Sequence, residues 1–205
     1  MHKPITRHKP IVAAFDFDGT LTYRDTLLPF LCFGNNPVHI YAKVGLKLPK
    51  LFRFSLGLAS RQDAKEAVLA LLKDMPYDRL CRKGVKFADA PLNKLLNPKA
   101  IHRLKWHQGH GHRCILVSAN LDVYLHPWAK KMGFHDVITS QCAVSENGLF
   151  TGALLGANCW GPEKARRLQE LLGPRDAYTL YAYGDSKGDK EMLALADFPC
   201  FRTFG

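Results

Sequence analysis

The sequence has no apolar run approaching the ~18 residues that a membrane-crossing helix needs, so no ordinary transmembrane span is expected. Its six cysteines form no CxxC pair, which removes the usual zinc-ribbon and thioredoxin-like readings. The start, MHKPITRHKP, is basic but lacks the apolar core of a secretory signal. Cys32, Cys81, Cys114, Cys142, Cys159 and Cys200 therefore read as reduced, mostly packed thiols of a cytoplasmic protein. No internal repeat or low-complexity segment occurs. Acidic residues are scarce, 18 against 29 Lys and Arg, giving a formal net charge of +11. Such a balance suits nucleic acid, an anionic membrane surface or phosphorylated substrates and does not choose among them. No RNA-recognition signature, zinc finger or helix-turn-helix pattern accompanies it, so a nucleic-acid partner is not expected.

What is present is a set of short apolar runs, each emptying into polar residues. Ile11-Val-Ala-Ala-Phe15 ends in Asp16-Phe-Asp-Gly-Thr20, and Arg113-Cys-Ile-Leu-Val117 ends at Ser118. Ala177-Tyr-Thr-Leu-Tyr-Ala-Tyr183 ends at Gly184-Asp185. The pattern predicts buried parallel strands of an α/β protein with a shared C-terminal edge, where open α/β sheets bind their ligands. Leu121 to Met132, Pro162 to Leu172 and Lys187 to Ala196 read as helices between and after these strands. Glu146-Asn147-Gly148 reads as the turn of a small hairpin.

The interval from the first strand to the second is too long for a simple crossover. Its contents look helical: Arg24 to Phe33, Ala64 to Lys73 behind a Ser60-Arg-Gln-Asp63 capping box, Pro76 to Asp89, and Pro98 to Gln108. The predicted organisation is a core of residues 1–21 and 111–205 with a helical cap, residues 22–110, inserted after the first strand.

The chemistry gathers at the strand ends. Asp16 and Asp18 stand two residues apart, and carboxylates that close do not both ionise unless a cation shares them or one keeps a proton. A hard divalent ion would bind one or two such carboxylates together with a substrate phosphate, and a protonated neighbour can act as a general acid. Asp185 brings another carboxylate to the same sheet edge, with Asp189 four residues on. Ser118 offers a hydroxyl to a phosphoryl oxygen, and Lys164 at a helix start can neutralise phosphoryl charge.

Four segments, Asp16-Phe-Asp-Gly-Thr-Leu21, Leu116-Val-Ser-Ala-Asn120, Gly161-Pro-Glu-Lys164 and Tyr183-Gly-Asp-Ser-Lys-Gly-Asp-Lys-Glu-Met192, together resemble the haloacid dehalogenase superfamily of phosphohydrolases. They follow the family's order and span most of the chain. The long insertion after the first motif is similar to the phosphoserine-phosphatase-like subfamily IB. The resemblance implies a Rossmann-like core and a magnesium-dependent phosphomonoester hydrolase. It implies that Asp16 is the nucleophile, forming an aspartyl-phosphate, and that Asp18 is the acid and base. Thr20, Ser118 and Lys164 would hold the phosphoryl oxygens. Asp16, the Asp18 main-chain carbonyl and Asp185 would ligate Mg²⁺, with Gly184 and Asp189 in support.

The substrate, a small or lipid phosphomonoester, stays open. Asp25 stands nine residues after Asp16, where phosphoserine phosphatases carry a glutamate for the substrate amino group. It is one methylene shorter, and the cap arginine expected for a serine carboxylate has no clear counterpart, which weakens phosphoserine as substrate. Asp25 reads equally as a helix cap.

No Asp or Glu occurs between Asp25 and Asp63, whereas Lys43, Lys47, Lys50, Arg53 and Arg61 do, among many apolar residues. Residues 38–58 read either as a packed cap helix with its lysines in water or as an interfacial segment in peripheral contact with the inner membrane face. His107, His110 and His112 lie too loosely for a zinc site and read as a flexible loop. Two rival functions are a basic phosphate- or nucleic-acid-binding module and a receiver phosphorylated on Asp16 without turnover. Asp18 argues against the receiver, because it supplies the step that releases phosphate.

Overall fold

A computed structural model of the protein describes residues 9–46 and 60–204. Residues 47–58 of the basic, apolar stretch therefore lie outside the described residues. In chain order the elements are β1 (Ile11–Phe15), α1 (Leu27–Cys32), α2 (Pro37–Gly45), α3 (Arg61–Leu69), α4 (Tyr77–Asp89), α5 (Pro98–Gly109), β2 (Arg113–Leu121), α6 (Asp122–Met132), β3 (Asp136–Val144), β4 (Phe150–Leu155), α7 (Pro162–Leu172), β5 (Thr179–Gly184), α8 (Lys190–Ala194) and β6 (Phe198–Phe201). The strands form one sheet in the order β4-β3-β2-β1-β5-β6. All neighbouring pairs are parallel except β3 with β4, which close a hairpin at Glu146-Asn147-Gly148.

The near-continuous apolar strands follow from burial on both faces. Ala13, Phe15, Cys114, Leu116 and Tyr183 point to one side, into a large core shared with the inserted helices and α6. Val12, Ala14, Ile115, Val117, Leu180 and Ala182 alternate to the other side, under Leu168 of α7 and Met192 of α8. This is the α/β fold the strand pattern predicts, with a mostly parallel central sheet.

Local signals set the helix ends. Ser60 and Asp63 complete the expected capping box of α3. Asn36 before Pro37 and Asn97 before Pro98 cap α2 and α5 through side-chain oxygens that accept from Val38 N and Lys99 N. Gly133, at φ +76°, closes α6 in the left-handed conformation that glycine tolerates.

The sequence reading needs several adjustments. Helix α5 lies on the sheet rather than in an insertion above it: His107 sits edge-on to Phe15 of β1 and bonds the Tyr183 hydroxyl of β5 at 2.9 Å. The boundary drawn at residue 110 thus includes a helix that packs as part of the core. For the same reason His107 is not in a flexible loop, since it occupies the last turn of α5 and is fully buried. Residues 175–177 form a short 3₁₀ turn before β5, and Lys187–Asp189 form another before α8. Strand β6 and the first half of β3 carry no clean alternation, so periodicity does not announce them.

The inserted helices are fastened to the core by close backbone approach. A methyl group on Gly84 of α4 would lie 2.0 Å from the Val123 carbonyl oxygen of α6, so only glycine allows this crossing. A second seam joins the segment before α4 to the β-hairpin, through Asp74 N to Phe150 O and Tyr77 N to Gly148 O, both 2.9 Å.

Candidate active site

Strand β1 lies between β2 and β5, so the residues leaving these three C-terminal ends converge. Asp16 N makes the last sheet bond, to Tyr183 O at 2.9 Å. The chain then turns tightly through Phe17–Leu21, with Gly19 at φ +81°. A side chain there would be strained, and its Cβ would lie 2.3 Å from an Asp185 oxygen. Glycine therefore lets the first loop and the β5 loop touch.

This turn sends Asp16 and Asp18 in different directions. Asp16 is buried and faces the ammonium of Lys164, which donates to its Oδ1. The Thr20 hydroxyl donates to Asp16 Oδ2 at 3.1 Å. Asp18 faces the inserted helices: its Oδ1 accepts from Thr26 N at 2.9 Å and Thr26 Oγ1 at 2.7 Å, and its Oδ2 accepts from Asn120 Nδ2. Tyr124 and Thr26 hydroxyls lie 3.1 Å apart behind this network.

Burial pushes Asp16 up to about 7, opposed by the charge of Lys164. Burial also pushes Asp18 up to about 7, reinforced by the charge of Asp25 and opposed by the Thr26 and Asn120 hydrogen bonds. For Lys164, burial favours the neutral amine, but the carboxylates of Asp16 and Asp189 outweigh it and hold the ammonium charged above the ordinary lysine range. The arrangement is one fixed cation beside Asp16 and a separate carboxyl, Asp18, held by uncharged donors.

Lys164 reaches the site because Gly161 begins α7 at φ +59° and its N donates to Gly188 O at 2.9 Å, joining the α7 start to the β5 loop. Lys164 also donates to Asp189 Oδ1 at 2.7 Å. Asp189 Oδ2 accepts from the N of Asp185 and from the N and Oγ of Ser186. Gly184 makes room for it, since a Cβ there would meet Asp189 Cβ at 2.5 Å.

Asp16, Asp185 and Asp189 bring carboxylate oxygens within 4.8 Å of one another. The oxygens of Asp189 are already taken by donors, whereas Asp185 Oδ1 is buried and has no hydrogen-bond partner. Burial and the charge of Asp189 both raise Asp185. An orphaned buried oxygen beside a second carboxylate fits a hard cation held by Asp16 and Asp185, with Asp189 orienting them. The Asp18 carboxylate, turned to Thr26 and Asn120, is not available to that ion.

The other expected residues fall as follows. Ser118 is buried, and its Oγ accepts from Asn120 N at 3.0 Å, leaving its hydrogen free to point into the cleft. The pairing of β2 with β3 breaks between Val117 and Leu121, and this irregularity frees the Ser118–Asn120 backbone at the site. Thr20 holds Asp16 rather than lining the open space. Asp25 does not hold the cap position of α1, which falls to Thr26; its Oδ1 accepts from Leu27 N at 2.9 Å in the turn before the helix, and it also lines the cleft.

A cleft of about 510 Å³ opens over these groups, walled on the far side by Tyr23, Arg24, Arg61 and Lys65. Lys65 donates across to Ala119 O, and burial brings it down to about 8, with the charges of Asp18 and Asp25 opposing. The Arg61 guanidinium lies 4.4 Å from the centre of the Trp160 ring. Thr26, Asn120, Lys65 and Trp160 were not singled out from sequence. Asn120 carried one signal, its place two residues after Ser118; the others act across contacts too distant in sequence to leave any.

The haloacid dehalogenase-like hydrolase family matches residues 13–194. Protein CicA of Caulobacter vibrioides (strain NA1000 / CB15N) is 34% identical over 197 residues, 96% of this chain and 88% of that protein. The inhibition of morphological differentiation protein of Streptomyces azureus is 29% identical over 207 residues, 97% of this chain and 74% of that protein. Among solved structures, a Bordetella pertussis Tohama I protein of unknown function superposes with a TM-score of 0.75 at 22% identity, over 91% of this chain and 86% of that one. A substrate-bound phosphoserine phosphatase superposes with a TM-score of 0.64 at 19% identity, over 93% and 84%. At these identities the structural likenesses speak for the fold alone.

Proposed function

The chain belongs to the haloacid dehalogenase-like hydrolases, and from that premise we propose that it is a magnesium-dependent phosphomonoester hydrolase working through an aspartyl-phosphate on Asp16. The observation that carries this reading is the separation of two carboxyls with different partners. Asp16 faces Lys164 and the Thr20 hydroxyl, while Asp18 is turned away to Thr26 and Asn120. Environments that differ in this way assign the nucleophile and the acid.

In the first half-reaction a carboxylate oxygen of Asp16 attacks phosphorus, and the bond from phosphorus to the ester oxygen breaks. Asp18 gives its proton to the departing alcohol oxygen. In the second half, Asp18 takes a proton from water as that water attacks phosphorus. The bond to Asp16 breaks, inorganic phosphate leaves and both carboxyls are restored. Dividing the hydrolysis into two transfers is the use of a covalent nucleophile. Lys164 offsets charge on the phosphoryl oxygens, and Ser118 donates to one of them. Mg²⁺, held by Asp16, the Asp18 main-chain carbonyl and Asp185, would supply further charge neutralisation and orientation. Thr20 keeps Asp16 in its attacking rotamer.

The test is phosphate release from p-nitrophenyl phosphate, phosphoserine and sugar phosphates, with Mg²⁺ or EDTA, by wild type and Asp16→Asn. Release that needs Mg²⁺ and vanishes in Asp16→Asn is expected. Folded protein that binds Mg²⁺ and turns over nothing would overturn the proposal. An acyl-phosphate that forms and persists would point to the receiver instead.

A further inference from the structure

Helix α2 is built the wrong way round for a soluble surface. At 3.6 residues per turn, Val38, Tyr41, Ala42 and Gly45 follow the i, i+3, i+4, i+7 pattern of an apolar stripe, which in a globular protein normally faces the core. Here it faces solvent: Val38 is 75% exposed, Tyr41 56%, and Leu46 at the helix end 79%. The core contact is made from the opposite side, by buried Ile40. Exposed apolar residues clustered like this mark a contact surface.

The same helix walls a groove. Leu28, Pro29 and Cys32 of α1 face Pro37 and Tyr41 of α2 across about 460 Å³, a size that suits a small ligand. Arg24 and Asp25 line both this groove and the catalytic cleft, so the two adjoin at these side chains. The cleft over Asp16 and the mostly apolar groove meet at these two charged side chains, and Tyr41 joins the groove to the exposed stripe. Asp25, at the end of the groove towards the catalytic cleft, is its one acidic lining residue; beyond it Lys43 is exposed on α2, and no acidic residue occurs between Asp25 and Asp63. An apolar stripe bordered by cations, with a tyrosine at its edge, is complementary to a lipid surface carrying negative charge.

We propose that the substrate is a lipid phosphomonoester in an anionic membrane, its phosphate at Asp16 and its apolar tail in the groove between α1 and α2, with Val38, Tyr41 and Leu46 resting on the lipid. The proposal rests on the phosphatase reading above and adds the substrate class and the docking face. The far wall then has a task as well: Arg24 stands where the polar head meets the tail. Among the described residues no helix is long and apolar enough to cross a membrane, so the contact is peripheral.

The test compares kcat/KM for dodecyl phosphate, below its aggregation concentration, with that for ethyl phosphate. Taking the ratio within each protein cancels any general loss of activity or folding. The wild-type ratio is expected to exceed about tenfold, what burial of two methylenes supplies. The double variant Val38→Glu, Tyr41→Glu should bring it towards one. In parallel, wild type should pellet with vesicles of phosphatidylcholine and phosphatidylglycerol, less so in high salt, and the double variant should stay in solution. A ratio near one in a wild type that hydrolyses ethyl phosphate overturns the proposal and leaves the phosphatase reading standing. Failure to hydrolyse any phosphomonoester sinks that reading instead. A solution dimer that the double variant dissolves would assign the stripe to a second copy of the chain and also overturn the proposal.

Discussion

Thr26 donates twice to one oxygen of Asp18, from its backbone N at 2.9 Å and from its hydroxyl at 2.7 Å. Asn120 supplies the other oxygen from β2, and its amide also reaches the Thr26 hydroxyl at 3.2 Å. The proposed acid and base is therefore aimed by one residue of the insertion and one of the core, so its orientation depends on the two being docked.

Thr26→Val keeps the backbone bond and removes the hydroxyl. We expect kcat to fall by about tenfold to a hundredfold, a part of the roughly 10²–10⁴-fold that a general acid and base contributes, with KM little changed. Thr26→Ser should restore most of the loss. Steady-state kinetics on p-nitrophenyl phosphate would decide it, and a change confined to KM would show that Thr26 acts on binding instead.

Gly84→Ala would replace a poor helix former by the best one, which on a free helix face stabilises by up to about 1 kcal/mol. Here the added methyl meets a backbone carbonyl at 2.0 Å, and that carbonyl has no rotamer to escape into. The expected result is a net destabilisation of about 1–3 kcal/mol, read as a lower urea midpoint. A raised midpoint would mean that α4 and α6 do not cross as described.

Gly19→Ala forces a side chain into a left-handed conformation and against Asp185. The backbone strain alone is about 1–2 kcal/mol. The larger expected effect is on the ion, because Asp185 must swing away from Asp16. Calorimetric titration with Mg²⁺ should show affinity lowered by at least about tenfold, the scale on which groups that orient ligands act. Unchanged affinity would remove Asp185 from the ligand set.

His107 is buried between Tyr183 and His112, and burial brings it down from 6.5 to about 4, with the neighbouring charge of His112 adding to this. Between these values the unfolded chain binds a proton that the folded one refuses. This contribution is therefore complete above pH 6.5 and is lost as pH falls towards 4, by about 1–3 kcal/mol. Asp16 and Asp18, both raised, act with the opposite sign in the metal-free protein, stabilising at low pH and losing that as pH rises through about 7. The His107 part is isolated by comparing urea unfolding of wild type and His107→Gln from pH 8 to 5. The two stabilities should converge towards pH 5, and parallel curves would refute the assignment.

Much of the site is legible in the chain because its parts are local. Asp16, Gly19 and Thr20 sit in one turn, Asp185 and Asp189 in another, and Pro162 to Lys164 at a helix start, each behind a strand or before a helix that its own periodicity announces. Apolar runs buried on both faces require a parallel α/β sheet, and strand ends that share an edge bring their acids together. The helix caps Ser60, Asn97 and Gly133 are equally local, which is why α3, α5 and α6 lie close to where they are expected.

The remainder depended on contacts between residues far apart in sequence. No pattern within the chain says that Asn120 and Thr26 share a carboxylate across 94 positions, or that Lys65 closes on Ala119. The assignment of α5 to the sheet, and of His107 to the core, turned on what packs against Phe15 and Tyr183. Strand β6 formed only because β5 offered it an edge. The apolar stripe of α2 is the clearest case. Periodicity identifies an amphipathic helix but not the direction in which it turns, and that is decided by which side finds a partner. Here Ile40 found the core, and Val38, Tyr41 and Leu46 were left facing outward.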